Sequence, residues 1–448
     1  MGQLFGTDGI RGLANRSPMD GATAFKIGQA VTHVVHSDRP PVIVVGRDTR
    51  ISGEMLEQAL VAGITSMGGV CLLLGVLPTP GIAFITKSLS AEAGFVVSAS
   101  HNPYYDNGIK VFAAGGLKLT DAIQDQIEQL VLGDELPNLV PAPEAIGRTA
   151  RFDDALDRYV DFLISTFPGE LNLAGVKICL DLGHGATFQV APAVFHQLGA
   201  EVTVLHDQPN GLNINDGVGS QHTEILRSQV LQLGADIGFA YDGDGDRLIA
   251  VDETGAEVTG DQTLMVNALQ LKAEGKLTDD LVVSTVMSNL GLRLCCAENG
   301  ITHHATEVGD RHVLEAMQRL GAVIGGEDSG HQIFLNHHTT GDGILASLQL
   351  AACLLKTGKQ LSELKQAMKV FPQTLINIDV TSKPDLDSLP TVAAATKSAE
   401  DELGDQGRVL VRYSGTQQMC RVMIEAPDQS TSQRLASQIA DAIRTTIG

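Results

Sequence analysis

Short apolar runs that break off into turns alternate with stretches of helical spacing, and this rhythm recurs three times along the chain. Residues 42–45, 70–74 and 94–97 are β-rich, with helical spacing at 122–132. Runs at 176–180, 201–205 and 237–241 repeat the pattern around a helical 191–198, and it returns between 281 and 352. Such alternation favours parallel or mixed sheets with helices on both faces. Three blocks imply three similar α/β domains, although no clear sequence repeat links them. The proline-rich 136–143 reads as a surface connection. Near Phe371-Pro372 the texture changes: strands at 408–411 and 421–425 and helices at 391–403 and 433–443 describe a smaller α+β domain. Four domains are expected, at 1–150, 151–254, 255–369 and 370–448, in keeping with a chain too long for one core.

Charge narrows the function. The 31 basic and 53 acidic residues give a net charge of −22, and no Lys/Arg cluster offers the basic face that a nucleic acid requires. An acidic chain that handles an anion must concentrate its cations at the site. Arg11, Lys110, Arg247, Arg311, Arg412 and Arg421, each in a glycine-rich or loop-like stretch, are the candidates. Six cysteines, none in a CxxC pair and most in apolar runs, read as reduced core thiols. No stretch is long and apolar enough to span a bilayer. The start MGQLFGTDG lacks a signal-peptide core, and Gly6 breaks the myristoylation pattern. The expectation is a soluble cytoplasmic protein with neither nucleic acid nor membrane as partner.

Ligands of open α/β sheets bind beyond the carboxyl ends of strands, and two motifs lie there. Asp242-Gly243-Asp244-Gly245-Asp246-Arg247 follows the run 237–241. Carboxylates at alternate positions curl around a hard cation, and oxygen-only ligands favour Mg²⁺, Ca²⁺ or Mn²⁺ over zinc. An EF-hand is disfavoured, because its sixth position needs glycine and here is Arg247, and both flanks read as strands. A solvated acidic turn would leave three aspartates repelling one another. The second motif, Ser98-Ala99-Ser100-His101-Asn102-Pro103, follows the run 94–97. A serine before Asn-Pro commonly only stabilises a turn. Here His101 is adjacent and Lys110 follows in Asn107-Gly108-Ile109-Lys110, and no G-x-S-x-G elbow supports a hydrolase triad. A serine that carries phosphate and faces a metal fits better, which is the equipment of phosphoryl transfer.

Three further segments are candidates. Gly325-Gly326-Glu327-Asp328-Ser329-Gly330-His331 sets a carboxylate, a hydroxyl and an imidazole on a loop suited to sugar hydroxyls; spacing alone slightly favours an ordinary acidic turn. Arg412-Tyr413-Ser414-Gly415-Thr416 with Arg421 combines arginine forks, hydroxyls and a glycine turn, a phosphate cradle or a plain hairpin. Gly6-Thr7-Asp8-Gly9-Ile10-Arg11-Gly12 lets backbone approach an anion with Arg11 supplying charge, or is a tight turn only. His303-His304 and His337-His338 have no suitably spaced carboxylate or cysteine and read as structural. The absence of G-x-x-x-x-G-K-[ST] argues against a P-loop kinase.

In this order, GTDGIRG, SASHNPYYDNGIK, DGDGDR, GGEDSGH and RYSGT resemble the N-terminal, phosphoserine, metal, sugar and phosphate loops of the α-D-phosphohexomutase superfamily, nearly end to end. The opening FGTDGIRG and the phosphoserine segment are most similar to its bacterial amino-sugar branch. The resemblance implies three α/β domains and a smaller fourth around a central cleft. It implies a phosphoserine at Ser100 and one Mg²⁺ per chain held by Asp242, Asp244, Asp246 and the Ser100 phosphate. Arg11, His101, Lys110, Arg247 and His331 would serve catalysis. Glu327, Ser329, Arg412, Ser414, Gly415, Thr416 and Arg421 would hold the substrate. The implied substrate is a small phosphosugar: glucosamine 6-phosphate would interconvert with glucosamine 1-phosphate through a bisphosphate, toward UDP-N-acetylglucosamine and the cell wall. Glucose or mannose phosphate is the alternative, and a non-catalytic sugar-phosphate-binding regulator a more distant one; a homodimer is left open. Burial near cations is expected to lower the Lys110 pKa so that it, or His101, takes the hydroxyl proton. Two segments depart from the family pattern. Gly415-Thr416-Gln417-Gln418 stands where Gly-Thr-Glu-Pro is usual, and Asp181-Leu182-Gly183-His184-Gly185 where Asp-Cys-Ala-Asn-Gly is usual.

Overall fold

The structure is a computed structural model that describes residues 4–6, 8–414 and 418–448. The chain divides into two compact units. One comprises the chain to Met287 and Ile301–Gln366, the other Ser288–Gly300 and Ala367–Gly448.

The first unit carries three mixed sheets with helices packed on them. Strands β1 (Ile10–Leu13), β2 (Val42–Arg47), β3 (Val70–Val76), β4 (Ala93–Val97), β5 (Asp106–Ala113), β6 (Leu117–Lys118) and β7 (Thr149–Arg151) form the first, in the order β1-β5-β4-β2-β3-β7 with β6 on β5. β8 (Lys177–Asp181), β9 (Glu201–Leu205), β10 (Ile237–Tyr241), β11 (Leu248–Asp252) and β12 (Glu257–Val258) form the second, ordered β12-β11-β10-β8-β9. β13 (Leu281–Thr285), β14 (Thr302–Thr306), β15 (Ile324–Gly326) and β16 (Gln332–Phe334) form the third, ordered β14-β13-β15-β16. The inner strands β4 and β10 are buried at every residue, as expected of strands covered on both faces. One core runs from Ile10 through Ile43, Val45, Phe95 and Ile109 to Ile127.

The three sheets share one device. In each, a strand in the parallel part is followed by an antiparallel return: β4 by β5, β10 by β11, β15 by β16. The turns at these returns are residues 98–105, 242–247 and 327–331, the three central motifs of the sequence. The repeat is one of architecture, which explains why composition showed its rhythm and no alignment of letters did.

The second unit holds β17 (Gln373–Asp379), β18 (Arg408–Tyr413) and β19 (Met419–Glu425), antiparallel in the order β17-β19-β18, under helices Pro390–Leu403 and Gln429–Ile447. The sequence reading anticipated two strands here. β17 escaped it because its burial alternates from one residue to the next, which leaves no apolar run. Helix Leu290–Glu298 belongs to this unit: the Asn289 side-chain amide donates to Phe371 O at 2.9 Å, and Leu290 N–H to Glu425 Oε2 at 3.1 Å. No described helix is long and apolar enough to cross a membrane. All six cysteines are buried, and none is joined in a disulfide.

Candidate active site

Ser100 lies just past the end of β4, 1% exposed, with a left-handed φ of 53°. Its N–H donates to Ser98 Oγ at 2.9 Å, and Ser98 Oγ donates to Asp48 at 2.6 Å. Its own hydroxyl donates to Asp242 Oδ2 at 2.6 Å, and His101 Nδ1 stands 3.3 Å away. Two motifs separated by 142 residues therefore meet at hydrogen-bond distance.

The return from β10 to β11 folds Asp242, Asp244 and Asp246 so that one oxygen of each lies within 4.8 Å of the others. All three are buried. Gly245, at φ 73°, turns the loop, and Thr79 at a helix start braces it, donating its hydroxyl to Asp244 Oδ2 at 2.6 Å and its amide to Asp244 O at 2.9 Å. Asp244 Oδ1 and Asp246 Oδ1 are buried without a hydrogen-bond partner. Burial, then repulsion from Asp246 and Asp244, pushes Asp242 well above the usual carboxylate range. Orphaned oxygens and an all-oxygen donor set fit a hard divalent cation.

Lys110 does not sit on a turn. It lies on β5 opposite Val96, and the antiparallel return of β5 along β4 brings it to the acidic loop. Its Nζ is 3.0 Å from Asp244, 3.4 Å from Asp246 and 3.0 Å from Asp8. The expected lowering of its pKa is reversed. Burial alone would lower it, but Asp244, Asp8 and Asp246 outweigh burial and hold the ammonium well above its ordinary value. His101 differs: burial, then Arg247 and Arg11, pulls its pKa down to about 4, so its imidazole is neutral near pH 7.

The loop-like setting expected of the cations holds for Arg247 alone. Arg11 is on β1, Arg412 on β18, Arg421 on β19 and Arg311 in helix Asp310–Leu320. Arg11 reaches Ala99 O at 3.4 Å and Asp8 at 2.6 Å. Arg247 Nε is 3.8 Å from Asp246, and its backbone bridges to His331. His331 is buried with both ring nitrogens lacking hydrogen-bond partners, 3.6 Å from Asp310. Glu327 accepts from Gly309 N–H at 3.1 Å; Ser329 is exposed. Arg311 is occupied by Asp121 and Glu315.

Sequence reasoning missed Asp8, Lys118 and Asp310. Asp8 bridges Arg11, Lys110 and Lys118, and Lys118 continues to Asp310, beside His331. Only Asp8 had a signal, as the acid inside GTDGIRG. The other two acquire meaning from partners that lie 110 and 192 residues from Lys118.

In the second unit, Arg412 and Arg421 are direct cross-strand partners. Burial and the facing Arg421 push the Arg412 pKa down, and Arg421 Nε is buried without a hydrogen-bond partner. Ser414 N–H closes the hairpin onto Met419 O at 2.8 Å. Gly415, Thr416 and Gln417 lie outside the described residues.

Comparison with known proteins agrees with this geometry. Models of the phosphoglucomutase/phosphomannomutase α/β/α domains I, II and III match residues 2–137, 157–255 and 259–371, and that of the C-terminal domain matches 375–442. The chain belongs to the phosphoglucomutase/phosphomannomutase family. Among its relatives, the phosphoglucosamine mutase of Syntrophobacter fumaroxidans is 60% identical, covering 100% of both chains. That of Syntrophus aciditrophicus is 54% identical over the same share of each. The fold also matches a phosphoglucomutase/phosphomannomutase family protein of Burkholderia thailandensis, with a TM-score of 0.80 at 24% identity, covering 98% of this chain and 96% of that one.

Proposed function

We propose that this chain is an isomerase that interconverts glucosamine 6-phosphate and glucosamine 1-phosphate, with Ser100 as the phosphate carrier. The hydroxyl of Ser100 against Asp242, at the mouth of a buried three-carboxylate loop, carries the reading. Full-length relatives named phosphoglucosamine mutase support the choice of sugar. The product would feed UDP-N-acetylglucosamine synthesis in the cytoplasm.

Asp242, Asp244 and Asp246, with a phosphate oxygen on Ser100, would hold one Mg²⁺. When bound, the cation supplies charge stabilisation to the phosphoryl group. The chain's own residues do the rest. The phosphoryl group leaves Ser100 Oγ as a sugar hydroxyl attacks it; the Oγ–P bond breaks, the sugar O–P bond forms, the hydroxyl proton passes to an imidazole, and the departing Ser100 Oγ takes up a proton in turn, with His101 Nδ1 at 3.3 Å as its donor. His101, neutral near pH 7, and His331 are the acceptors, in place of Lys110. The Lys110 ammonium with Arg247 and Arg11 would stabilise the transferring oxygens, since phosphoryl transfer is mostly electrostatic positioning. Reversal with the other phosphate of the bisphosphate returns the phosphoserine. Glu327 and Ser329 would face sugar hydroxyls. Arg412, Ser414 and Arg421, with Gly415 and Thr416, would hold the phosphate that is not reacting.

Side-by-side turnover of glucosamine, glucose and mannose phosphates tests the assignment. Glucosamine phosphate should have the highest kcat/KM. If glucose or mannose phosphate outruns it, the sugar assignment falls and the chemistry stands.

A further inference from the structure

The peptide of Ser100 is held in a conformation that serine rarely adopts, and two side chains converge on its carbonyl. Arg50, 1% exposed and anchored on Asp48 at 2.8 Å, donates Nη2–H to Ser100 O and Asn102 O, each at 2.8 Å. Asn215, 115 residues away in sequence and on the second sheet's side, donates its Nδ2 hydrogens to the same two oxygens at 2.9 and 3.1 Å.

Asn215 is itself fixed. Its φ is 58°, and its backbone N–H donates to Gly183 O at 2.9 Å. Gly183 and Gly219 donate N–H to the buried Asp181 carboxylate at 3.0 and 3.2 Å, and His206 Nδ1 lies 2.9 Å from it. The segment Asp181 to Gly185, one of the two that depart from the family pattern, is therefore the base on which Asn215 stands. The acidic loop closes the arrangement. A Cβ on Gly243 would lie 2.6 Å from Ser100 O and 2.7 Å from Asn215 Nδ2, so only glycine leaves room for that carbonyl and the Asn215 amide side by side.

We propose that Asn215 is a positioning residue for phosphoryl transfer: its amide latches the carbonyls of Ser100 and Asn102 and so fixes Ser100 Oγ against the acidic loop. This rests on Ser100 being the phosphate carrier. The position makes two demands at once, a left-handed backbone and two hydrogens for two carbonyls. Asparagine meets both, whereas aspartate would set oxygen against oxygen and serine offers one hydrogen. Asn215 is none of the groups assigned to the sugar or its second phosphate. Loosening it should therefore misplace the reacting oxygen and leave ground-state binding alone, and a misplacement of about 1 Å costs on the order of a hundredfold in rate.

Two variants separate the roles. Asn215→Gly keeps the left-handed backbone and deletes the amide; Asn215→Asp keeps the shape and turns a donor into an acceptor. kcat and KM for glucosamine 6-phosphate are measured on folded enzyme, with Ser100 phosphate quantified by peptide mass spectrometry. The account expects kcat to fall about tenfold in Asn215→Gly and about a hundredfold in Asn215→Asp, with KM within about threefold of the unaltered chain and Ser100 still phosphorylated. A merely structural residue would lower the melting temperature and leave kcat of the folded enzyme alone. Unchanged kcat in folded, phosphorylated Asn215→Gly overturns the proposal, and so does a loss carried wholly by KM. Failure of the underlying reading looks different: the unaltered chain would then carry no phosphate on Ser100, or Ser100→Ala would keep turning over. Should Asn215→Asp fail to fold, Asn215→Gly alone decides.

Discussion

Two regions of this molecule gather like charges, and they do so differently. In the first unit three aspartates are buried in one loop. Their repulsion is partly offset from within, by Lys110 at 3.0 Å from Asp244 and 3.4 Å from Asp246. In the second unit Arg412 and Arg421 face each other across β18 and β19, and among the described residues neither forms an ion pair. Like charges directly opposite on a sheet destabilise it. The acidic loop is braced by Thr79, Ser100 and Lys110, whereas the arginine pair has no counter-charge among the described residues. Under the proposed function, the braced region would place the reacting oxygen and the arginine pair would hold and release a phosphate.

The largest effect should come from the cage. Asp242→Asn keeps an acceptor for the Ser100 hydroxyl but removes one carboxylate charge, and turnover should fall by about two to three decades. The melting temperature should not fall, because the charge removed is repelled by two buried neighbours. Paired rate and melting measurements decide; a strongly destabilised variant would make the loop a structural element and end the contrast.

Arg421→Ala probes the fork. KM should rise about one to two decades, the span of a charged hydrogen bond or two, with kcat changed far less. Stability should hold or rise as the cross-strand repulsion disappears. A normal KM would remove the hairpin from substrate binding.

The smallest effect lies away from both clusters and isolates the acid sensitivity of the fold. His338 is buried; its Nε2–H donates to Pro80 O at 2.8 Å and its Nδ1 accepts from Thr339 N–H at 2.8 Å, so the ring is held neutral. Burial is the main cause that pulls its pKa from 6.5 to about 4. Between those values the unfolded chain binds a proton that the fold refuses. The contribution is therefore complete above pH 6.5 and is lost as pH falls toward 4. His338→Gln should remove about 2 kcal/mol of the stability lost between about pH 7 and about pH 5. Denaturant melts with equal pH slopes in both proteins would place the acid sensitivity elsewhere.

What could be read from the letters depended on how local each feature is. The acidic cage was legible because its three carboxylates fall within five residues, and Ser100 because its turn follows a strand. The alternation of strands and helices pointed to the three sheets, and both strands of the arginine hairpin were anticipated, one ending a residue short of Arg412 and the other starting at Arg421. The chain Asp8–Lys118–Asp310 and the latch Asn215–Ser100 were invisible. Each joins residues about a hundred or more positions apart, and their spacing exists only after the sheets have formed. The charge of Lys110 was misjudged for the same reason: burial could be anticipated, but three carboxylates arriving from two loops could not.

The measurement that bears most directly on the account is the fate of an isotope-labelled phosphate on Ser100 in active enzyme, followed through a chase with unlabelled glucosamine 6-phosphate. The account predicts labelled phosphate on this serine at the outset, its passage into the sugar phosphate as product forms, and its replacement on Ser100 by the unlabelled phosphate that the substrate brings. Active enzyme without phosphate on Ser100, or a label that stays on the serine while product forms, would contradict it.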